Sequence, residues 1–288
     1  MTAADLDPAR SYLYVPGIEP DRLAKSLGRG ADAVIADLED AVAVDAKAAA
    51  RETVATWLAS LSASAVQIWV RINARSPVDD VAVLTGRAAG VVVAKADRAL
   101  LERVDAVLAD RERDLGLPRG SFGVLPLIES AVGLLDLPAV AAGPRVHRVG
   151  IGEADLIGEL GLRPGTERAE LAPIRLQAVV ASAAAGIRAP VAPTSTDFRD
   201  LATFRTTSHA LLALGFRGRT AVHPAQVPVI NEVFTPTVEE VGAARALVEL
   251  FEAAGSGVVV DERGRMVDEA VVRSAREVLS RADRSRGV

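Results

Sequence analysis

The chain has 288 residues, half of them hydrophobic, enough for the core of one large α/β domain or two small ones, which argues against a disordered chain. A net charge of −5 and few aromatic residues exclude a general nucleic-acid surface and base-stacking platforms. With no cysteine there is no disulfide frame, thiol nucleophile or thiolate zinc site, so a metal must be held by Asp, Glu or one of three His, and oxygen ligands point to Mg2+ or Mn2+.

In chain order, the N-terminal run Met1-Thr2-Ala3-Ala4-Asp5-Leu6-Asp7 is acidic with no hydrophobic segment behind it. No apolar stretch is long enough to cross a bilayer, so a soluble cytoplasmic protein without a membrane partner is expected. Short runs rich in Val, Ile and Leu then alternate with longer Ala/Leu/Arg segments of helical period, the rhythm of βαβ units around a parallel sheet. Strands are expected at 12–15, 33–37, 67–72, 91–94, 123–127, 146–151, 189–192 and 220–222, each followed by a helix. Gly30, Gly90, Gly143, Gly186 and Gly215 stand where left-handed helix ends would precede the next strand. Eight such units predict an α/β fold of the (β/α)8 TIM-barrel type over residues 1–235.

Beyond the eighth unit, Pro236-Thr237 opens a helical stretch to about Ala253. The loop Gly255-Ser256-Gly257 and a final helix beyond Val267 follow, so residues 236–288 form a C-terminal helical extension, a lid or oligomer contact.

Polar residues interrupt the apolar runs at the carboxyl ends of different strands, the face on which barrel enzymes build their sites. The second strand runs into Asp37-Leu38-Glu39-Asp40, the third ends in Arg71-Ile72-Asn73, the fourth at Lys95, and the fifth at Glu129. The sixth leads through Gly150-Ile151-Gly152 to Glu153-Ala154-Asp155. Glu129 and Asp155, one βα unit apart, would share a hard cation at the mouth; the alternative is that acids such as Asp155 and Asp200 are helix N-caps. Arg71 suits a carboxylate or a developing enolate oxygen, or else an ion pair with Glu39 or Asp40. Lys95 would neutralise the acidic cluster, with a Schiff-base lysine as the other option. His223, next to Pro224, is read as a loop-fixing hydrogen-bond donor, and His147 and His209 as structural; with three His and no Ser placed recognisably beside one, a Ser-His-Asp triad has little support.

Several stretches taken together carry a resemblance: Arg10-Ser11-Tyr12-Leu13-Tyr14-Val15-Pro16-Gly17, Gly30 through Val42 with its Asp37-Leu38-Glu39-Asp40, and Val70-Arg71-Ile72-Asn73. Leu127-Ile128-Glu129-Ser130, Gly152-Glu153-Ala154-Asp155-Leu156 and His223-Pro224-Ala225-Gln226 complete the set. In this order the chain resembles the HpcH/HpaI aldolase and citrate lyase β-subunit superfamily, in its CitE-like and malyl-CoA lyase branch. The resemblance implies a barrel with a helical extension, Mg2+ on Glu129 and Asp155, Arg71 on substrate, and Asp268 of Met266-Val267-Asp268 as acid/base, often from a neighbouring subunit of a homotrimer or dimer of trimers. From the residues alone, Asp268 reads as a helix N-cap. The chain departs from many relatives at Val44, at Val93-Ala94-Lys95, before Arg175 and at Ala192-Pro193-Thr194.

The expected reaction is cleavage or formation of a 3-hydroxyacyl-CoA, with a 2-oxo acid held at Mg2+ and an acyl-CoA enolate stabilised by Arg71 and protonated by Asp268. Glu39 and Asp40 would hold water near the ion or position Arg71, and Gly152, Glu153, Ala154 and Asp155 would border the substrate. Arg10, Arg22, Lys25 and Arg29 are the basic candidates for coenzyme A phosphates, with solvated surface charge as the bland alternative. A thioesterase using the same site and a non-catalytic acyl-CoA-binding subunit are the competing readings.

Overall fold

The computed structural model of the chain describes residue 6 and residues 8–255, 257–261 and 263–285; the expectations for the acidic run 1–5 with Asp7, and for Ser256 of the glycine loop, fall outside these residues. By its internal contacts the chain divides into two compact units, Met1–Asn231 and Glu232–Val288.

The first unit is built on a parallel sheet of seven strands: β1 (Ser11–Pro16), β2 (Ala33–Asp37), β3 (Gln67–Ile72), β4 (Gly90–Val93), β5 (Gly123–Ile128), β6 (Gly150–Ile151) and β7 (Arg219–Ala221). Their order is β6-β5-β4-β3-β2-β1-β7. β2, β4 and β5 are buried along their whole length, as apolar runs covered on both faces should be. Tyr12, Ala33, Ile35, Trp69, Val92, Leu125, Leu127 and Val191 pack into one apolar cluster. At its base the buried Arg148 donates to the carbonyls of Ala9 and Ala189 at 2.6 Å, to that of Pro190 at 3.2 Å and to the Tyr12 hydroxyl at 3.2 Å.

The expected seventh strand is a correction. Residues 189–192 contribute no strand, only single bridges from Val191 to Gly150 and from Ala192 to Arg219, so the sheet has seven strands where the sequence led to eight. Pro190 and Pro193 lack backbone N–H groups, leaving Val191 and Ala192 as the donors of this stretch, to Val149 at 2.9 Å and Gly218 at 2.8 Å. The sixth strand is likewise shorter than expected, with Val146 making only an isolated bridge to Val124. Of the glycines expected at helix ends, Gly30, Gly186 and Gly215 have positive φ and Gly143 does not. Gly90 opens β4, where an added Cβ would lie 2.0 Å from the Gly123 carbonyl oxygen.

Helices α1 (Pro20–Ser26), α2 (Lys47–Ser60), α3 (Pro77–Val81), α4 (Arg98–Asp114), α5 (Ala131–Leu135), α6 (Leu137–Ala141), α7 (Glu153–Leu160), α8 (Ala172–Ala184) and α9 (Leu201–Leu214) fill the crossovers. Three of them open on a side chain that satisfies a free backbone N–H of the first turn, with Asp97, Ser130 and Asp200 capping α4, α5 and α9. The division between units falls within α10 (Val227–Phe234). The second unit holds α11 (Val238–Ala253), opened by a reciprocal Thr237/Glu240 capping box, the hairpin β8 (Val259–Val260) and β9 (Met266–Val267), and α12 (Glu269–Ser285). Among the described residues no helix is long and apolar enough to cross a membrane.

Candidate active site

A cavity of about 740 Å3 opens at the carboxyl ends of the strands, lined by residues from the ends of β1, β2, β3, β5 and β6, the start of α7, and α1. Arg71, Asp40, Glu129, Gly152, Glu153, Ala154, Asp155, Arg22, Lys25 and Arg29, all expected from the sequence, border it.

Register places the first pair. Asp37 at the end of β2 is the Cα partner of Arg71 on β3, so both side chains stand at one level. Arg71 binds Asp37 through two bonds, Nε to Oδ1 at 2.7 Å and Nη2 to Oδ2 at 2.5 Å, and its Nη1 lies 3.1 Å from Glu39 and 3.9 Å from Asp40. The ion pair with Glu39 foreseen as the alternative for Arg71 is thus present, but its main partner is Asp37, which sequence reasoning did not single out. Its position as last residue of a strand, at the head of the Asp37-Leu38-Glu39-Asp40 run, was the available signal. The guanidinium also stands 5.0 Å from the centre of the Tyr14 ring, another cavity residue not foreseen. Burial pulls the Arg71 pKa down, but the hydrogen bonds and charge of Asp37, with Tyr14 and Glu39, outweigh it, and the guanidinium stays charged. Burial pushes the Tyr14 hydroxyl above its ordinary range, so it stays protonated.

The loop after β2 is pinned from outside. Lys47 Nζ donates to the carbonyls of Leu38 at 2.7 Å and Glu39 at 2.6 Å, and the Asn73 amide reaches Leu38 at 2.8 Å and the fully buried Asp80 at 2.7 Å. Glu39 is thereby delivered to Arg71 on one side and to Lys95 Nζ, 3.3 Å away, on the other. Burial raises the Glu39 carboxyl and Arg71 opposes the shift. Lys95 thus neutralises the acidic cluster as expected; desolvation pulls its pKa down, and the charge of Glu39 outweighs that pull and raises it.

Glu129, just beyond β5, is buried, with one oxygen accepting the Lys95 backbone N–H at 2.8 Å. The other lies against Gly152, where a Cβ would come within 2.5 Å of Oε1. Burial raises this carboxyl to about 7; the Lys95 N–H and Arg71 pull it down, while Asp155 and Glu39 push it up. Asp155 is exposed in the first turn of α7, whose N-cap is Gly152, so it is not the cap that the bland reading proposed. Asp200 is, accepting from Thr203 N–H at 2.9 Å.

Other expectations divide. Glu153 borders the cavity, but its carboxylate is committed to Arg175 at 2.6 and 3.0 Å and to Arg168 at 3.1 Å, so it anchors the segment after α7 rather than offering free oxygens. Arg10 precedes β1, at the end of the strand away from the cavity, and is bound to Asp32 through Nε and Nη2, both at 2.8 Å; it does not line the cavity. His223 lines it, but its Nδ1 accepts the Ala225 N–H at 3.2 Å, an acceptor where a donor was expected, and its ring stacks on Phe198 at 4.7 Å. Asp268 belongs to the second unit, where it accepts from Ala270 and Val271 N–H at 3.0 and 3.1 Å and caps α12.

Among the described residues no group of three or more acidic or histidine side chains forms a metal cluster. Two carboxylates beside an open cavity remain a fitting donor set for a hard divalent ion, which is commonly held by one or two carboxylates plus water and substrate.

Residues 10–224 match the model of the HpcH/HpaI aldolase/citrate lyase family. The chain is 36% identical over 281 residues to the citrate lyase subunit beta-like protein of Deinococcus radiodurans, covering 94% of this chain and 96% of that one. It is 33% identical over 284 residues to (3S)-malyl-CoA thioesterase of Cereibacter sphaeroides, covering 96% and 95%. Its fold matches protein CitE from Mycobacterium tuberculosis, crystallised in complex with magnesium, acetoacetate and coenzyme A, with a TM-score of 0.76 at 28% identity, over 95% of this chain and 98% of that one. An acid-rich, arginine-braced mouth on a parallel sheet and these matches lead to one assignment: the chain belongs to the HpcH/HpaI aldolase/citrate lyase family.

Proposed function

We propose that the protein is a divalent-metal-dependent lyase that breaks or forms a carbon–carbon bond in a short 3-hydroxyacyl thioester of coenzyme A, of the malyl, citramalyl or citryl type. The observation that carries this reading is Glu129, a buried carboxylate with one oxygen fixed by the Lys95 amide, sharing its cavity with the exposed Asp155. These two would hold Mg2+, or Mn2+, and the complex of CitE with magnesium and coenzyme A supports the choice. When bound, the ion supplies Lewis-acid polarisation of a 2-oxo acid such as glyoxylate, pyruvate or oxaloacetate.

The chain's own groups do the rest. In cleavage the substrate hydroxyl gives its proton to water in the cavity and becomes the carbonyl of the oxo acid, the carbon–carbon bond breaks, and its electron pair passes to the thioester carbonyl as an enolate. Arg71, locked by Asp37 and Glu39, offers that oxygen a charge already in place. Asp268 protonates the enolate carbon, or removes the proton in the condensing direction. The start of α7, from Gly152 through Asp155, borders the substrate, and its backbone N–H groups suit an anionic oxygen. Arg22, Lys25 and Arg29 on the rim would meet coenzyme A phosphates. The reading includes closure of the sheet into a complete (β/α)8 barrel through residues 189–192. Residues 236–288 act as a lid, and the assembly is a homotrimer or dimer of trimers in which Asp268 serves the site.

The thioesterase relative favours one second reading, hydrolysis of the same esters at the same site. Product analysis with malyl-, citramalyl- and citryl-CoA in Mg2+ separates them: a free oxo acid with an acyl-CoA marks the lyase, a free hydroxy acid with coenzyme A the hydrolase. Glu129→Ala and Asp268→Asn should each lower turnover by about 100-fold or more. Full turnover in both variants would overturn the roles given to them.

A further inference from the structure

We propose that Lys95 is a positioning residue whose left-handed backbone, rather than its ammonium, aims Glu129 into the cavity; the inference deepens the metal-site reading above. Lys95 is one of three non-glycine residues with positive φ among the described residues, at 50°, a conformation that costs an L-residue a Cβ clash and tends to collect at functional sites. The other two, Arg145 and Arg168, do not line the cavity, although Arg168 braces its lining residue Glu153.

The twist has a specific result. It sets the two peptide planes flanking the Lys95 Cα at an angle that lets the Lys95 N–H meet Glu129 Oε2 at 2.8 Å while the next N–H, of Ala96, goes to the Leu127 carbonyl at 3.1 Å. The Ala96 carbonyl then lies where Gly133 leaves room, since a Cβ at that position would approach it to 2.7 Å. The turn is therefore clamped against both sides of the residue it serves, Leu127 before Glu129 and Gly133 after it. With Oε2 taken by the amide, Oε1 is the oxygen left for an ion, and the contact with Gly152 sets its direction. Among the described residues Lys95 Nζ, half exposed, is bonded to Glu39 alone, so the charge could be lost without releasing Glu129.

The test separates backbone from charge. Lys95→Gly keeps the N–H and tolerates positive φ, Lys95→Met removes the charge alone, and Lys95→Val adds a β-branch that resists this conformation. Calorimetric titration with MgCl2 alone should give affinities within about threefold of the parent for Gly and Met and a loss of about tenfold or more for Val, with far-UV circular dichroism unchanged in all three. A Val variant binding like the parent, or a Met variant falling as far as Val, overturns the inference. Amide hydrogen exchange in metal-free protein supplies a reading independent of the ion. The Lys95 amide should be protected in the parent and exchange about tenfold faster in Glu129→Ala. Equal exchange in the two overturns the positioning role, whereas protection lost in the variant together with no Mg2+ binding by the parent leaves the positioning role standing and sinks the metal reading instead.

Discussion

Glu129 carries a proton-linked cost that can be measured. Burial raises its carboxyl from an ordinary value of 4.5 to about 7, so the folded state holds a proton that the unfolded state gives up earlier. The stability this contributes is full below the unfolded value and is lost as pH rises through about 7, a swing on the order of 3 kcal/mol. Denaturant melts of metal-free protein should therefore show a fall between about pH 5 and about pH 8 that Glu129→Gln, which cannot ionise, reduces. Mg2+ needs the carboxylate, so its affinity should climb over the same interval. Identical pH profiles for parent and Gln variant would show that Glu129 titrates normally. Residue by residue, the sequence exposed the acids and the arginine because charge at a strand end is conspicuous. It did not expose which acid meets which base: Asp37 rather than Glu39 became the main partner of Arg71 because register puts the two Cα positions opposite each other.

At the scale of elements, the junction of β6 and α7 is the most exacting. Gly152 is the last residue before α7 and stands against the Glu129 side chain, so Gly152→Ala should push Oε1 aside. Mg2+ affinity should drop about tenfold, with the melting temperature changed by only a few degrees; parent-like binding would mean that Glu129 can swing free of this contact. Most strands were legible because a parallel sheet buried on both faces leaves unbroken apolar runs. The segment 189–192 misled for the same reason: Val191 and Ala192 look like a strand core, but the flanking prolines remove the donors that a longer ladder needs. Lys95 was legible as a charge and not as a turn, since no residue-type signal marks a lysine that adopts positive φ.

For the whole molecule, the two units make separable demands. Glu129, Asp155 and Arg71 all belong to Met1–Asn231, and Asp268 to Glu232–Val288. A chain ending at residue 235 should still bind Mg2+ within about threefold of the parent while losing about 100-fold or more in turnover. Turnover preserved in the truncated chain would remove Asp268 from the reaction. The helical period beyond the eighth unit was legible as α11 and α12, and Asp268 reads from its pattern as the helix cap that its bonds to Ala270 and Val271 make it; only the resemblance offers it as a proton donor.

The arginine at the base of the sheet bears on how the molecule is made. Arg148 ties the carbonyl of Ala9 to those of Ala189 and Pro190, and β1 pairs with β7 from the far end of the same unit. During synthesis the earliest strand emerges long before its last neighbour exists and must wait with one edge bare. Completion is therefore a late, long-range event, and the nascent chain depends on whatever shields that edge until the final turns leave the ribosome.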